Sequence, residues 1–340
     1  MNQPTEHVGD AVLDELVQRA DLDGLVRLVD ARTAARDWPG LWAAREACRA
    51  AVSTGRQLWP AATLAEYRLT LLAPPEWAAP MIAEDAGSFS IGPLTEVIAQ
   101  HHTWESLRTV VPAGPGAAVV AHERVLRGEH IEPSSVSLLP NVFDLPYHLA
   151  PWEPEYPLAT YGDDGVDAPS PQPAARGPER HGGATGPAVD RIDDDAVELA
   201  VRQLVETWTA SSNGRADVAC VDGTADDAVR ALGVSTWTSR SLSLADALAW
   251  LAWAGASGGA HGRRRGAALG RFGALWVLAA VLDLTDEWPV PLDVLGSGAR
   301  SLRWSWWEPL AANRHGWRLQ LGVADVDNGQ AWAINAIDAV

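Results

Sequence analysis

Between Asp10 and about Ala73, apolar residues recur every three to four positions, the spacing of one buried helix face. Val12, Leu13, Leu16 and Val17 make one stripe, and Leu25, Leu28 and Val29 make the next, with Asp21–Gly24 read as a tight turn between them. Trp38, Leu41 and Trp42 open a longer helix that places Cys48 on an alanine-rich face, and Leu64, Tyr67 and Leu71 mark a fourth. Short helices joined by short turns predict a bundle or solenoid, but no fixed period identifies a repeat family. Pro74-Pro75 closes the series, and two further helices are expected over Leu94–Leu107 and Ala117–Arg127.

The pattern changes between Pro151 and Asp195. Large apolar side chains nearly vanish, and ten acidic residues against three arginines give a net charge of −7. Such a composition buries too little surface to offset the entropy of ordering, so a flexible acidic linker is expected.

Beyond it, Ala196–Thr209 reads as an amphipathic helix, Ala216–Val221 as a short strand, and Thr224–Leu232 as another helix. Then comes the most apolar part of the chain, from Ser241 to Leu284. Leu244, Leu248 and Leu251 share a helix face that Trp250 and Trp253 widen, Ser243 and Asp246 form a capping box, and Gly255 ends the run. A second helix carries Leu269, Phe272, Trp276, Ala279 and Leu282. The uncharged run from Phe272 to Leu282 is well short of the ~20 residues that span a bilayer, so the pair reads as a buried helical hairpin. A short helix is expected over Pro291–Ala299. At the C-terminus, Leu302, Trp304 and Trp306 alternate with Arg303, Ser305 and Trp307, and Trp317, Leu319, Leu321 and Val323 alternate with Arg318, Gln320 and Gly322. Asn328-Gly329 supplies a turn signal before a last strand at Trp332. A small three-stranded antiparallel meander follows, one face against the hairpin and the other exposing Trp307 beside Arg303 and Arg318 as a partner-binding surface. The expected fold is therefore α+β in two domains: helices over residues 1–150, an acidic Pro/Gly-rich linker over 151–195, and an α+β domain over 196–340.

Composition narrows the chemistry. The chain contains no lysine: all 26 basic residues are arginines. This excludes a Walker-type P-loop, a pyridoxal-phosphate Schiff base and any lysine nucleophile. A net charge of −18 opposes general binding to nucleic acid or anionic membranes. The two cysteines, Cys48 and Cys220, are too few and too far apart in sequence for a disulfide framework or a zinc ribbon. His101-His102 and His122-Glu123 lack the HExxH spacing and read as surface histidines, so no metal or other cofactor is expected. No signal-peptide pattern opens MNQPTEHVGD, and a cytoplasmic location is expected.

The candidate chemistry gathers in the loop between the hairpin helices. His261, Arg263, Arg264 and Arg265, with Arg271 one turn into the second helix, present guanidinium forks near free backbone amides, a pattern that binds a partner's acidic surface or a phosphate. Pairing with the protein's own carboxylates is the alternative for these arginines. The loop also reads Gly255-Ala256-Ser257-Gly258-Gly259, a GxSxG match followed by Asp283, Asp286, Asp293 and then His315, in the serine, acid, histidine order of α/β-hydrolases. That reading requires a strand before Ser257, where the pattern predicts a helix. The preferred function is a non-catalytic interaction protein with a protein partner at the arginine loop. A phosphate- or nucleotide-binding domain on His261–Gly266, and a serine hydrolase with Ser257 as nucleophile, are the alternatives.

Overall fold

Aspartates start the first three helices. Asp10 accepts from the amides of Val12 and Leu13 at the head of α1 (Ala11–Arg19), Asp21 from Gly24 in α2 (Leu22–Ala35), and Asp37 from Gly40 in α3 (Trp38–Ser53). The Asp21–Gly24 stretch is thus the first turn of a helix, entered through the left-handed residue Ala20. The computed structural model describes residues 10–83, 91–163, 165–171, 176–184, 189–310 and 316–338. By contact density the chain divides into two compact units, residues 1–124, 131–140 and 160–167 in one, and 125–130, 141–159 and 168–340 in the other.

In the first unit α4 (Trp59–Leu72), α5 (Pro75–Ala78), α6 (Leu94–His101), α7 (Trp104–Leu107) and most of α8 (Pro115–Leu126) follow, then α9 (Pro133–Val136). Leu25, Val29, Leu41, Cys48, Leu58 and Leu69 form the centre of its core. Arg45 and Glu66 are buried there as an ion pair at 3.1 Å, with Arg49 2.6 Å from the same carboxylate. Residues of the acidic stretch also belong to this unit. A hairpin of β1 (Thr160–Gly162) and β2 (Gly165–Asp167) sets Tyr161, whose hydroxyl donates to buried Glu96 at 2.6 Å. Tyr67 donates to the Gly162 carbonyl at 2.6 Å.

The second unit is a six-stranded antiparallel sheet in the order β3-β5-β6-β7-β8-β4. Its strands are β3 (Arg176–Gly183), β4 (Arg215–Asp222), β5 (Thr236–Leu242), β6 (Leu302–Pro309), β7 (Trp317–Asp325) and β8 (Gln330–Asp338). The predicted meander is its β6–β7–β8 portion, with the turn closed by Asp325, which accepts from the backbone of Asp327 and Asn328. Three strands enlarge it, and one of them, β3, comes from the stretch expected as linker. Its sequence, RGPERHGG, has no large apolar residue. It joins because β5 offers an edge and Gly182 leaves room for Trp237, whose ring a Cβ there would meet at 2.1 Å.

Strand alternation gives the sheet two faces. Trp304, Trp306, Leu321, Val323, Trp332 and Ile334 share one, opposite the hairpin of α13 (Leu244–Ala256) and α14 (Ala267–Val281). Trp250 of α13 lies 4.3 Å from Trp306, and Trp253 stacks on Trp317 at 5.0 Å. On this side too are α10 (Asp195–Leu204) and the short α11 (Glu206–Ala210). The other face is not exposed. The capped helix α12 (Ala225–Ala231) covers it with Ala228 and Val229, so Trp307, Trp237 and Val221 lie in a second core and Trp307 is 0 % exposed. A last helix, α15 (Leu292–Gly298), precedes β6. Among the described residues no helix is long and apolar enough to cross a membrane.

Candidate functional site

The loop between α13 and α14 is fixed by its own chain. Ser257 ends α13 with its hydroxyl accepting from Trp208 Nε1 at 2.8 Å and donating to the Ala254 carbonyl at 3.1 Å, and the residue is 2 % exposed. Helix rather than strand precedes it, so the sharp turn that exposes a hydrolase nucleophile is absent. Asp283 lies just past the far end of α14, ~22 Å along a 15-residue helix, so no acid is brought to the serine by this route. Asp283, Asp286 and Asp293 are all exposed, and His315 lies outside the described residues. The GxSxG match is a helix cap.

Glycines in the loop serve close packing. A Cβ on Gly258 would stand 2.1 Å from the Gly262 carbonyl, and one on Gly259, at φ +68°, 2.2 Å from Asp338 Oδ2. Asp338 is buried at the end of β8, accepting from the Ala260 amide at 2.6 Å and from the Ser212 hydroxyl at 2.8 Å. A carboxylate of this chain thus occupies the interior of the loop.

The five basic residues expected to act together are divided. His261 and Arg263 are exposed. Arg264 and Arg265 are half-buried, and Arg265 donates to the Gln203 carbonyl at 3.1 Å, its pKa lowered by burial against the opposing pull of Glu206. Arg271 is turned into the interior and 1 % exposed. It forms a two-pronged pair with Glu153 at 2.7 and 2.8 Å and donates to the carbonyls of His148 and Pro146. Tyr156 donates to the same carboxylate, and burial together with that negative neighbour raises its pKa well above the ordinary value. Arg271 is therefore a structural cation that fastens residues 146–156 to α14, and Glu153 and Tyr156, within the expected linker, are ordered parts of the second unit.

The expected Trp307–Arg303–Arg318 patch is dispersed. Trp307 lies under α12, and Arg303, paired with Ala324, and Arg318, paired with Ile337, stand at opposite ends of β7. Arg303 faces Ala324 across β7, six residues from Arg318, which is ~20 Å of strand. A period-2 pattern names the residues of a face but not what covers it.

Two of the concavities formed by the described residues lie on the second unit. One, of about 330 Å³, adjoins Arg265 and runs between α10 and α14 over Leu204, Leu269, Phe272 and Trp276, with Glu206 at its rim. Gly255 and Gly273 give it depth, since a Cβ on either would meet Leu204 at 2.6 Å. Leu269, Phe272 and Trp276 are only half-buried. The other, of about 620 Å³, lies between the 146–152 segment and α15, with Trp152, His148, Leu292, Asp293 and Arg300 along it. Sequence reading missed the second cleft because its walls are separated by some 140 positions and are joined by the Trp152–Leu292 hydrogen bond, with Arg271 holding one of them.

Among the described residues no group of three histidine, cysteine or acidic side chains is placed to hold a metal ion. His122, expected on the surface, is buried in α8 with Glu123. Both cysteines are buried thiols, and burial pushes each up to about 11. No curated protein and no solved structure matches the chain. Residues 23–339 match DUF6183, a family of unknown function, and the chain belongs to that family.

Proposed function

We propose that this protein is a non-catalytic cytoplasmic interaction protein whose two compact units act as domains, and that its contact site is the exposed part of the arginine loop with the adjoining α10–α14 groove. The observation that carries the reading is an apolar groove lined by Arg265, whose Leu269, Phe272 and Trp276 remain half-buried, with the exposed cation Arg263 two residues before Arg265 in the chain. Aromatic and arginine side chains of this kind supply most of the energy in protein contacts. The partner that fits is an amphipathic protein segment, apolar along one side and acidic where it reaches Arg263. Arg264, Arg265 and Arg271 are kept for this chain's own packing, so the contact is smaller than a run of three arginines implies.

A photo-crosslinking residue at position 269, with identification of the captured peptide, tests this. Capture of an acidic, apolar segment, and at least ~10-fold weaker binding of that segment to Arg263→Ser and to Trp276→Ala, is the expected result. Crosslinks to unrelated sequences, or affinity unchanged in both variants, would overturn it. Thermal stabilisation by inorganic phosphate that disappears in Arg263→Ser would instead favour an anion-binding role for His261–Gly266.

A further inference from the structure

The larger cleft is a built site rather than a gap between elements. Its one wall, residues 146–152, is fastened by the buried Arg271–Glu153 pair, and Glu153 also accepts from the Ala150 amide at 2.8 Å. A buried ion pair contributes little net stability compared with apolar packing, and its best-attested use is to fix one arrangement of the chain. Here the arrangement it fixes holds the indole of Trp152 against α15. Trp152 Nε1 donates to the Leu292 carbonyl at 3.0 Å, and its ring occupies the space above Gly296, where a Cβ would fall 2.3 Å from Nε1. The result is an apolar trough of Pro146, Pro151, Trp152 and Leu292, within the size range of small-ligand pockets.

Two opposite charges flank that trough. Asp293 stands in the first turn of α15, and Arg300 follows one residue after Ala299, which retains helical geometry. Seven residues are two turns, so both stand on the same side of the helix, ~10 Å apart along its axis. Both are exposed, and neither forms a side-chain hydrogen bond or ion pair among the described residues. An anion and a cation held apart over an apolar floor match a ligand with the reverse charges at the same separation. A single amino acid is too short. An extended peptide advances ~3.3–3.6 Å per residue, so about three residues place an ammonium at Asp293 and a carboxylate at Arg300.

We propose that this cleft binds short peptides of about three residues with both termini free and an apolar central side chain. Asp293 takes the N-terminal ammonium, Arg300 the C-terminal carboxylate, and Trp152 with Leu292 the side chain between them. Gly296 leaves the room that the Trp152 ring occupies, and Arg271 and Glu153 act as positioning residues.

Calorimetric titration of the full chain with Ala-Leu-Ala, its N-acetyl form and its C-terminal amide tests the proposal. The free tripeptide is expected to bind with a Kd below about 1 mM, and blocking either end to weaken binding ~10-fold. Arg300→Gln is expected to remove the preference for the free carboxylate alone, and Asp293→Asn the preference for the free ammonium alone. Both residues are exposed, so the fold tolerates either change. No heat at about 10 mM tripeptide, or equal binding by wild type and both variants, would overturn the proposal. Equal affinity for the acetylated peptide would also overturn it, pointing to the C-terminal tail of a protein as the occupant.

Discussion

At the scale of single residues, four arginines of this chain, Arg32, Arg45, Arg68 and Arg271, are buried and serve internal structure. Arg271 shows the logic best: its guanidinium has one buried carboxylate and two carbonyls as acceptors, and the carboxylate has three donors in return. Removing one partner of such a pair leaves a buried charge unbalanced, which costs about 3–5 kcal/mol, whereas replacing both with apolar side chains is close to neutral. Glu153→Gln is therefore expected to destabilise the protein by that order in urea unfolding, and Glu153→Leu with Arg271→Met to recover most of the loss. A double variant no more stable than the single one would show that the carbonyl contacts, and not the charge pair, hold the segment. Pairing of the loop arginines with the protein's own carboxylates was one reading of the sequence, but Glu153 as the partner of Arg271 was not legible, because it lies in a stretch whose composition reads as disordered. Composition averages over the stretch, while a few anchors such as Glu153, Tyr156 and Tyr161 decide where it is ordered.

At the scale of elements, local chemistry was legible where the signal is local. Ser243 and Asp246 form the reciprocal cap expected of them, and α13 and α14 occupy the apolar runs that predicted them. The same device at α12 escaped notice, although it is what brings a cover to the second face of the sheet. Thr224 Oγ1 accepts from the Asp227 amide while the Asp227 carboxylate accepts from Thr224. The Thr224 hydroxyl, ahead of its amide and Arg230, holds the Asp227 carboxyl below its ordinary value of 3.8. A depressed carboxyl pKa gives stability that is complete above the unfolded value and is lost as pH falls through the folded one. Thr224→Ala is thus expected to lower stability by about 1 kcal/mol at neutral pH. The difference between variant and wild type should shrink below pH 3.8, where wild type loses the same carboxylate contacts. A pH-independent difference would assign the effect to helix propensity alone. The β3 strand was illegible for a different reason. Nothing in RGPERHGG favours a strand, and its pairing depends on β5 some 60 residues later, which a local reading does not see.

At the scale of the whole molecule, the sequence placed a boundary at residue 150 because hydrophobic spacing stops there, and the chain does not divide so simply. Residues 141–159 belong to the second compact unit, yet 160–167 return to the first. The returning hairpin contributes to the helical unit's interior: Tyr161 donates to the buried Glu96 carboxylate, exchanges backbone hydrogen bonds with the Gln100 side chain at 2.6 and 2.9 Å, and lies edge-on to Tyr67 at 6.5 Å. Without it, Glu96 and the Tyr67 hydroxyl would each lose a hydrogen-bond partner, at about 1–3 kcal/mol for each buried group left unsatisfied. A fragment spanning residues 1–168 is therefore expected to be more stable in urea than one spanning 1–150, by on the order of 3 kcal/mol. Tyr161→Phe in the longer fragment should remove about 1–3 kcal/mol of that difference, since the ring contact stays while the hydroxyl donor is lost. Equal midpoints and equal slopes for the two fragments would mean that the helices close their own core and the hairpin merely rests on it. A longer fragment that is more stable but indifferent to Tyr161→Phe would assign the gain to the backbone exchange with Gln100 and the Tyr67–Gly162 bond, and move the effective boundary of the helical unit to Asp167 all the same.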